Sequence, residues 1–341
     1  MVNRLSGEKV DLSIIVPAFN EGSNIDALIT RLVPVLSEVA LSWEIIFVDD
    51  GSSDDTLSRI SRFHRTNNRI KAVSFSRNFG KEIGIAAGLD HAHGAAVIIM
   101  DADLQHPPEL IPALIERWKN GFSIVYGQRT DRSTDSFLRR GLTRMFYRVF
   151  AMFGETPLPQ DAGDFRLLDR SAVEALKGMG ERARFSKGLY AWIGFKSVGV
   201  PFEAAERRSG QSKFKPNVLF RFALDGIISF STVPLRLWTY IGALISGIAL
   251  LAAFYSIIST LISGVDVPGF ATLIVSITFF SGIQLLSLGI IGEYIGRIFA
   301  EVKGRPLYIV GEKIGLPGSI SVEDIKLLDT RRAKSGRRPK T

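Results

Sequence analysis

Hydrophobic positions fall into two regimes along this chain. Up to Phe202, short apolar runs alternate with amphipathic stretches. LSIIVP (Leu12 to Pro17), WEIIFV (Trp43 to Val48), IKAVSF (Ile70 to Phe75), VIIM (Val97 to Met100) and SIVY (Ser123 to Tyr126) have the length and side-chain character of buried strands. Between them, Asn24 to Glu38, a stretch ending near His91, and Pro108 to Asn120 carry helical spacing, the last opened by Pro107 and Pro108. FRLLD after Asp164 predicts another strand, Ser171 the cap of the next helix, and Lys196 to Glu203 a last strand. Strands alternating with helices at this spacing predict an α/β fold with a doubly wound, mostly parallel sheet.

From Trp238 the pattern changes. Trp238 to Ile262 and Phe270 to Ile291 contain no charged residue, and each is long enough to cross a hydrocarbon core of about 30 Å. Transmembrane helices are expected over 237–263 and 270–292, joined by the turn SGVDVPG. Arg221 and Arg236 precede the first, and Arg297, Lys303 and Arg305 follow the second, so the positive-inside rule puts both flanks in the cytoplasm. Residues 1–210 then form a cytoplasmic domain, 211–236 juxtamembrane interfacial helices, and 293–341 a charged cytoplasmic tail with a short strand RPLYIV. Ser136 to Phe153 is basic and amphipathic, with Arg140, Arg144 and Arg148 on one face; it fits a surface helix over the core or a helix at the lipid interface. Gly292 and Gly296 form a GxxxG, compatible with close packing in a homo-oligomer. The polar N-terminus and the short run from Leu12 to Val16 lack the pattern of a signal peptide.

Composition narrows the chemistry. The chain has no cysteine, which removes disulfides, thiol nucleophiles and thiolate metal sites. A net charge of +8 suits nucleic acid, anionic lipid or phosphorylated substrates. No helix-turn-helix, zinc or RNA-binding signature supports a nucleic-acid partner. A Rossmann dehydrogenase would need GxGxxG after the first strand, and PAFNEG stands there instead.

Acids recur where strands end: Glu21, Asp49, Asp50, Asp101 and Asp103. In a strand, residues two apart share a side, so Asp101 and Asp103 are expected to converge, with Gln105, on one cation at the carboxyl edge of the sheet. Two carboxylates and an amide oxygen suit Mg²⁺ or Mn²⁺ and a phosphate-bearing substrate rather than zinc. The competing reading is a pair of solvated loop acids.

VPAFNE, VDDGSSDDT, SRNFGKE, DADLQHPPE, YGQR and GDFRLLDR, in that order, resemble a family-two glycosyltransferase with the GT-A fold. Followed by RRSGQSKF and two apolar spans, they are similar to the polyprenyl-phosphate glycosyltransferases, a group that includes dolichol-phosphate mannose synthase and bacterial undecaprenyl-phosphate glucosyltransferases. The resemblance implies that Pro17, Ala18, Asn20, Glu21, Asp49 and Asp50 line the nucleotide pocket. It implies that Asp101, Asp103 and Gln105 hold the metal on the diphosphate. Arg129, Arg139 or Arg140, Arg207 and Lys213 would handle phosphates, and Asp103 and Asp164 would be catalytic, Asp164 beside the reacting sugar carbon. No QxxRW of the processive members is present, which implies a single sugar transfer.

The implied reaction moves one sugar, glucose as the leading expectation, from a UDP-sugar to undecaprenyl phosphate, inverting the anomeric centre. GDP-mannose, UDP-galactose and UDP-amino sugars are alternative donors. A multi-pass protein of the bacterial inner membrane, serving cell-envelope glycans such as lipopolysaccharide, is implied. A non-catalytic membrane adaptor that binds nucleotide sugar is the alternative from another class.

Overall fold

The computed structural model describes residues 10–39, 42–129, 162–182, 184–202 and 269–318, with scattered helical positions between 238 and 262. The chain divides into two compact units. The first comprises Met1–Met145, Leu158–Lys215 and Pro306–Thr341; the second comprises Phe146–Pro157 and Pro216–Arg305.

The first unit runs β1 (Leu12–Ala18), α1 (Gly22–Glu38), β2 (Trp43–Asp49), α2 (Thr56–Thr66), β3 (Ile70–Phe75), α3 (Lys81–His91), β4 (Ala96–Ile99), α4 (Ile111–Lys119), β5 (Ile124–Arg129), β6 (Ala162–Asp169), α5 (Arg170–Lys177), α6 (Ser186–Trp192), β7 (Ser197–Phe202) and β8 (Val310–Ile314). The strands form one sheet in the order β7-β5-β6-β4-β1-β2-β3-β8. β1 to β4 are mutually parallel. β6 enters antiparallel between β4 and β5, β8 lies antiparallel along β3, and β7 is parallel to β5. Six of the eight described strands thus run the same way and β6 and β8 oppose them, so the sheet is mixed, with most of its strands parallel as expected. Periodicity identifies strands, whereas their order is decided by long-range pairing.

The central strands read as continuous apolar runs because helices cover both faces. Leu12, Ile14, Ile15, Ile45, Ile46, Phe47, Val97, Ile98 and Ile99 are all fully buried. Each such side chain contributes about 1.5–3 kcal/mol through burial. α1 presents Ile25, Leu28, Ile29, Leu32 and Leu36 to this core, the spacing of one helical face. Two glycines set close approaches. Gly51 has φ +69, and a Cβ there would lie 2.6 Å from the Arg77 carbonyl carbon. A Cβ on Gly88 would lie 2.3 Å from Ile15, so its absence lets α3 close onto β1.

Two local expectations are corrected. The helix α5 is capped by Asp169, whose side chain accepts from the Ser171 amide and hydroxyl, so Ser171 is the capped rather than the capping residue. The last strand is Val310–Ile314, not RPLYIV. Tyr308 of that stretch instead stacks on Phe75 at 5.0 Å and donates to Asp90 at 2.9 Å. Chain beyond the second apolar run thus supplies a strand of the sheet rather than a tail alone.

In the second unit, α7 (Phe270–Val302) is one continuous helix of 33 residues, about 50 Å long. It continues past the expected end at 292. Its stretch of membrane-spanning length and hydropathy is Phe279–Val302. Leu273, Phe279, Leu285, Leu286 and Phe299 are exposed along it, a large apolar surface for a side that faces water. Among the described residues it is the one helix long and apolar enough to cross a membrane, so two spans are not established by the structure. The expected first span at 237–263 is described only at scattered helical positions, and Ser136 to Phe153 and 211–236 lie outside the described residues.

Candidate active site

β1 to β4 are parallel, so their carboxyl ends share one edge. β6 runs the other way and begins at that edge. Its Arg166 lies opposite Ile99, which brings Asp164 level with the residues just after β4. β5 and β7 end there too, with Arg129 opposite Phe202.

Strand β4 ends at Ile99, so Asp101 and Asp103 do not sit two apart within a strand as expected. They lie in a turn that Leu104 passes through at φ 61. The turn is fixed by its own contacts. Leu104 is buried, the Gln105 amide donates to Asp103 Oδ1 at 3.1 Å, and the Asp101 amide donates to His106 Nδ1 at 3.3 Å. The His106 ring stacks on Phe165, centroids 5.1 Å apart. Asn20, at φ 55 after β1, is the other non-glycine residue of positive φ among those described. Both strained positions lie on this edge, where function commonly stores such strain.

At the centre is a residue the motifs did not flag. Lys81 Nζ lies 2.6 Å from Asp101 Oδ1 and 2.6 Å from Asp164 Oδ2. Lys81 opens α3, and Asp50 fixes that helix start by accepting from the Phe79 amide at 2.6 Å and the Gly80 amide at 2.9 Å. The signal was present in SRNFGK: a cation directly after the loop that leaves the third strand at the ligand-binding edge. Below it, Glu82 accepts from the amide (3.0 Å) and hydroxyl of Ser186. Arg166 is buried, lies 3.8 Å from the centroid of the Tyr190 ring, and donates to the Gly163 carbonyl at 2.6 Å.

Burial and charge shift these groups in different directions. Burial would raise the Asp164 carboxyl, but Lys81 and Lys187 outweigh it and hold Asp164 below the usual carboxylate range. Desolvation would lower the Lys81 ammonium, but Asp101 and Asp164 outweigh it and hold the ammonium above the ordinary lysine range. Burial raises Glu82 and Asp50 and pushes Tyr190 up to about 12.

The residues expected at the nucleotide form a locked rim. Pro17 and Ala18 end β1. The Asn20 amide donates to Ser52 Oγ, and its side-chain oxygen accepts from the Ser53 amide, both at 2.9 Å. Glu21 accepts from Asn24 Nδ2 at 2.7 Å. Asp49 is buried and accepts from the Ser52 amide and the Ser74 hydroxyl. Arg129 ends β5 on the same edge. Arg139, Arg140, Arg207 and Lys213 lie outside the described residues.

Among the described residues no three of His, Cys, Asp and Glu form a ready-made metal cage. Asp101, Asp103 and Gln105 offer hard oxygen donors, and Asp101 already holds a cation, the Lys81 ammonium. A few carboxylates completed by substrate oxygens is how Mg²⁺ is usually bound, so the donor chemistry fits such an ion.

A mixed α/β sheet with acids and a lysine gathered at its carboxyl edge is the framework of a ligand-binding α/β enzyme. Residues 13–177 match the family described as Glycosyl transferase family 2. The chain belongs to that family. It is 48% identical over 307 residues to an uncharacterized glycosyltransferase of Synechocystis, covering 90% of this chain and 96% of the relative. It is 44% identical to the SfII prophage-derived bactoprenol glucosyl transferase of Shigella flexneri, covering 88% of this chain and 97% of that one. It is also similar to the prophage bactoprenol glucosyl transferase homolog of Escherichia coli, at 43% identity with 88% and 98% covered.

Proposed function

We propose that this glycosyltransferase moves a single sugar from a nucleotide diphosphate to a polyprenyl phosphate at the cytoplasmic face of the bacterial inner membrane. The observation that carries this is where the chain leaves and rejoins the sheet. β7 ends at Phe202 and β8 begins at Val310; these are the two outermost strands, both of those ends lie on the edge that holds Asp101, and the apolar stretches lie between them in the sequence. A catalytic domain joined in one chain to an apolar helix of membrane-spanning length suits an acceptor whose phosphate lies at a bilayer surface. The names of the Shigella and Escherichia relatives support bactoprenol as the lipid and glucose as the sugar. Uridine is the base that the family resemblance implies.

The residues divide the work. Asp101, Asp103 and Gln105 would hold a Mg²⁺ or Mn²⁺ ion, which when bound neutralises charge growing on the leaving diphosphate. Pro17, Ala18, Asn20, Glu21, Asp49 and Asp50 frame the nucleotide, Asp49 and Asp50 by fixing the loops around it. Arg129, Arg139 or Arg140, Arg207 and Lys213 would grip phosphates, since guanidinium binds them in a two-pronged way. A lipid phosphate with a second pKa of about 6 is already largely dianionic at neutral pH, so attack needs no strong base. Asp164 is then free to orient the acceptor and steady positive charge developing on the sugar ring. In-line displacement inverts the anomeric centre.

β7 precedes and β8 follows the apolar unit, yet both belong to one sheet. A single crossing by Phe279–Val302 would put them on opposite sides of the bilayer. Trp238 to Ile262 therefore supplies a matching span, and both termini lie in the cytoplasm. The chain lacks cysteine, so single cysteines can be labelled without background. Cysteines at Ser319 and Ser6 are expected to react with impermeant maleimide only after the inner membrane is opened. Labelling of Ser319→Cys in intact spheroplasts would refute this topology.

The purified full chain, given UDP-glucose, undecaprenyl phosphate and Mg²⁺, is expected to yield a lipid heavier by one hexose. A panel of nucleotide sugars, read by product mass, fixes the donor. Binding of a nucleotide sugar without turnover on any polyprenyl phosphate would favour the adaptor reading instead.

A further inference from the structure

We propose that Lys81 is a stand-in cation that holds the donor site open for its metal and then passes to the diphosphate. This rests on the metal reading of Asp101 and Asp103 given above. One ammonium contacts both Asp101 and Asp164 at 2.6 Å, so those two carboxylate oxygens are within about 5 Å of each other. Without a cation between them the two carboxylates would repel, although Leu104 and His106 keep the turn itself in place. The ammonium offsets that repulsion while no divalent ion is bound.

The geometry suits a group that moves. The backbone of Lys81 is fixed, because Asp50 grips the two preceding amides and Gly80 turns the chain at φ 100. The side chain itself is 40% exposed, on a flexible stem with three rotatable donors. A divalent ion held by Asp101 would share that carboxylate with the ammonium, so the two cations would compete for its charge. Once the ion neutralises Asp101, the ammonium is held by Asp164 alone. A diphosphate arriving on the ion is then the stronger anionic partner within its reach. Lys81 thus links three events: an ordered empty site, metal entry and donor capture.

The experiment is Mn²⁺ titration of the full chain in detergent micelles without nucleotide, read by the electron paramagnetic resonance signal of free Mn²⁺. Lys81→Met is expected to bind Mn²⁺ about tenfold more tightly than the wild type, since a competing charge is gone. With Mn²⁺ saturating, the same variant is expected to bind UDP about tenfold more weakly, and Lys81→Arg to restore most of that loss. A merely structural ion pair would not move the two affinities in opposite directions. Mn²⁺ affinity unchanged or weakened in Lys81→Met overturns the proposal. If Lys81→Met unfolds, as judged by its thermal midpoint, Lys81→Gln carries the same comparison. Asp103→Ala in the same titration keeps the two readings apart. If it weakens Mn²⁺ binding while Lys81→Met changes nothing, only the stand-in role fails. If it leaves Mn²⁺ binding intact, the metal reading fails and this proposal with it.

Discussion

Asp103→Ala is expected to lower turnover about a thousand-fold, with the thermal midpoint almost unmoved. The size follows from the task assigned to the residue. A diphosphate leaves poorly unless its growing charge is met, and a metal supplies several kcal/mol of that stabilisation. A thousand-fold loss corresponds to about 4 kcal/mol at the barrier. Stability is spared because the turn has other anchors. Leu104 stays buried and His106 stays stacked on Phe165, whatever stands at 103. Turnover of the glycolipid product at saturating Mg²⁺, measured beside a melting curve, checks both halves. Near-normal turnover would return Asp101 and Asp103 to the solvated loop acids that a bare DxD can also be.

Local pattern and assembled structure carry different information in this chain. β1, β2, β3 and β4 were legible because each is buried on both faces along most of its length and is apolar at all but a few positions, Ser13, Glu44 and Lys71 among them. β8 was misread because it is an edge strand, VGEKI, with two adjacent charged residues, Glu312 and Lys313, and little to bury. RPLYIV beside it is more apolar for another reason, since Tyr308 packs on Phe75. The acid pair was expected to converge by strand alternation, but both acids lie past the end of β4, in the turn that Leu104 passes through at φ 61. Lys81 was missed because a lysine at a helix start reads as a solvated charge. Only the antiparallel entry of β6 beside β4 brings Asp164 to the other side of it. Strand order is a property of the whole sheet, and no window of the sequence contains it.

The opposite edge of the sheet gives the largest expected effect on stability. Glu44, in β2, is 1% exposed and serves three donors. It accepts from the Ser13 hydroxyl at 2.6 Å, the Lys71 ammonium at 2.7 Å and the His93 amide at 2.9 Å, and His93 Nδ1 lies 3.7 Å away. Ser13 in turn accepts from the Gly94 amide at 2.8 Å. Glu44→Ala strands these donors around a cavity and is expected to cost about 3 kcal/mol, with turnover at low temperature retained. The pH dependence identifies the charge. Burial would raise the Glu44 carboxyl, but Lys71, Ser13 and the His93 amide outweigh it and hold it below its ordinary value of 4.5. A group depressed in the folded state contributes stability that is fully present above the unfolded value and is lost as pH falls through the folded one. Glu44→Gln has no such proton to take up. The gap in unfolding midpoint between wild type and Glu44→Gln is therefore expected to be constant at neutral pH and to shrink steadily once pH drops below about 4.5. A gap that holds its full size down to acid unfolding would mean that packing, not the carboxylate charge, ties β1 to β2 at this edge.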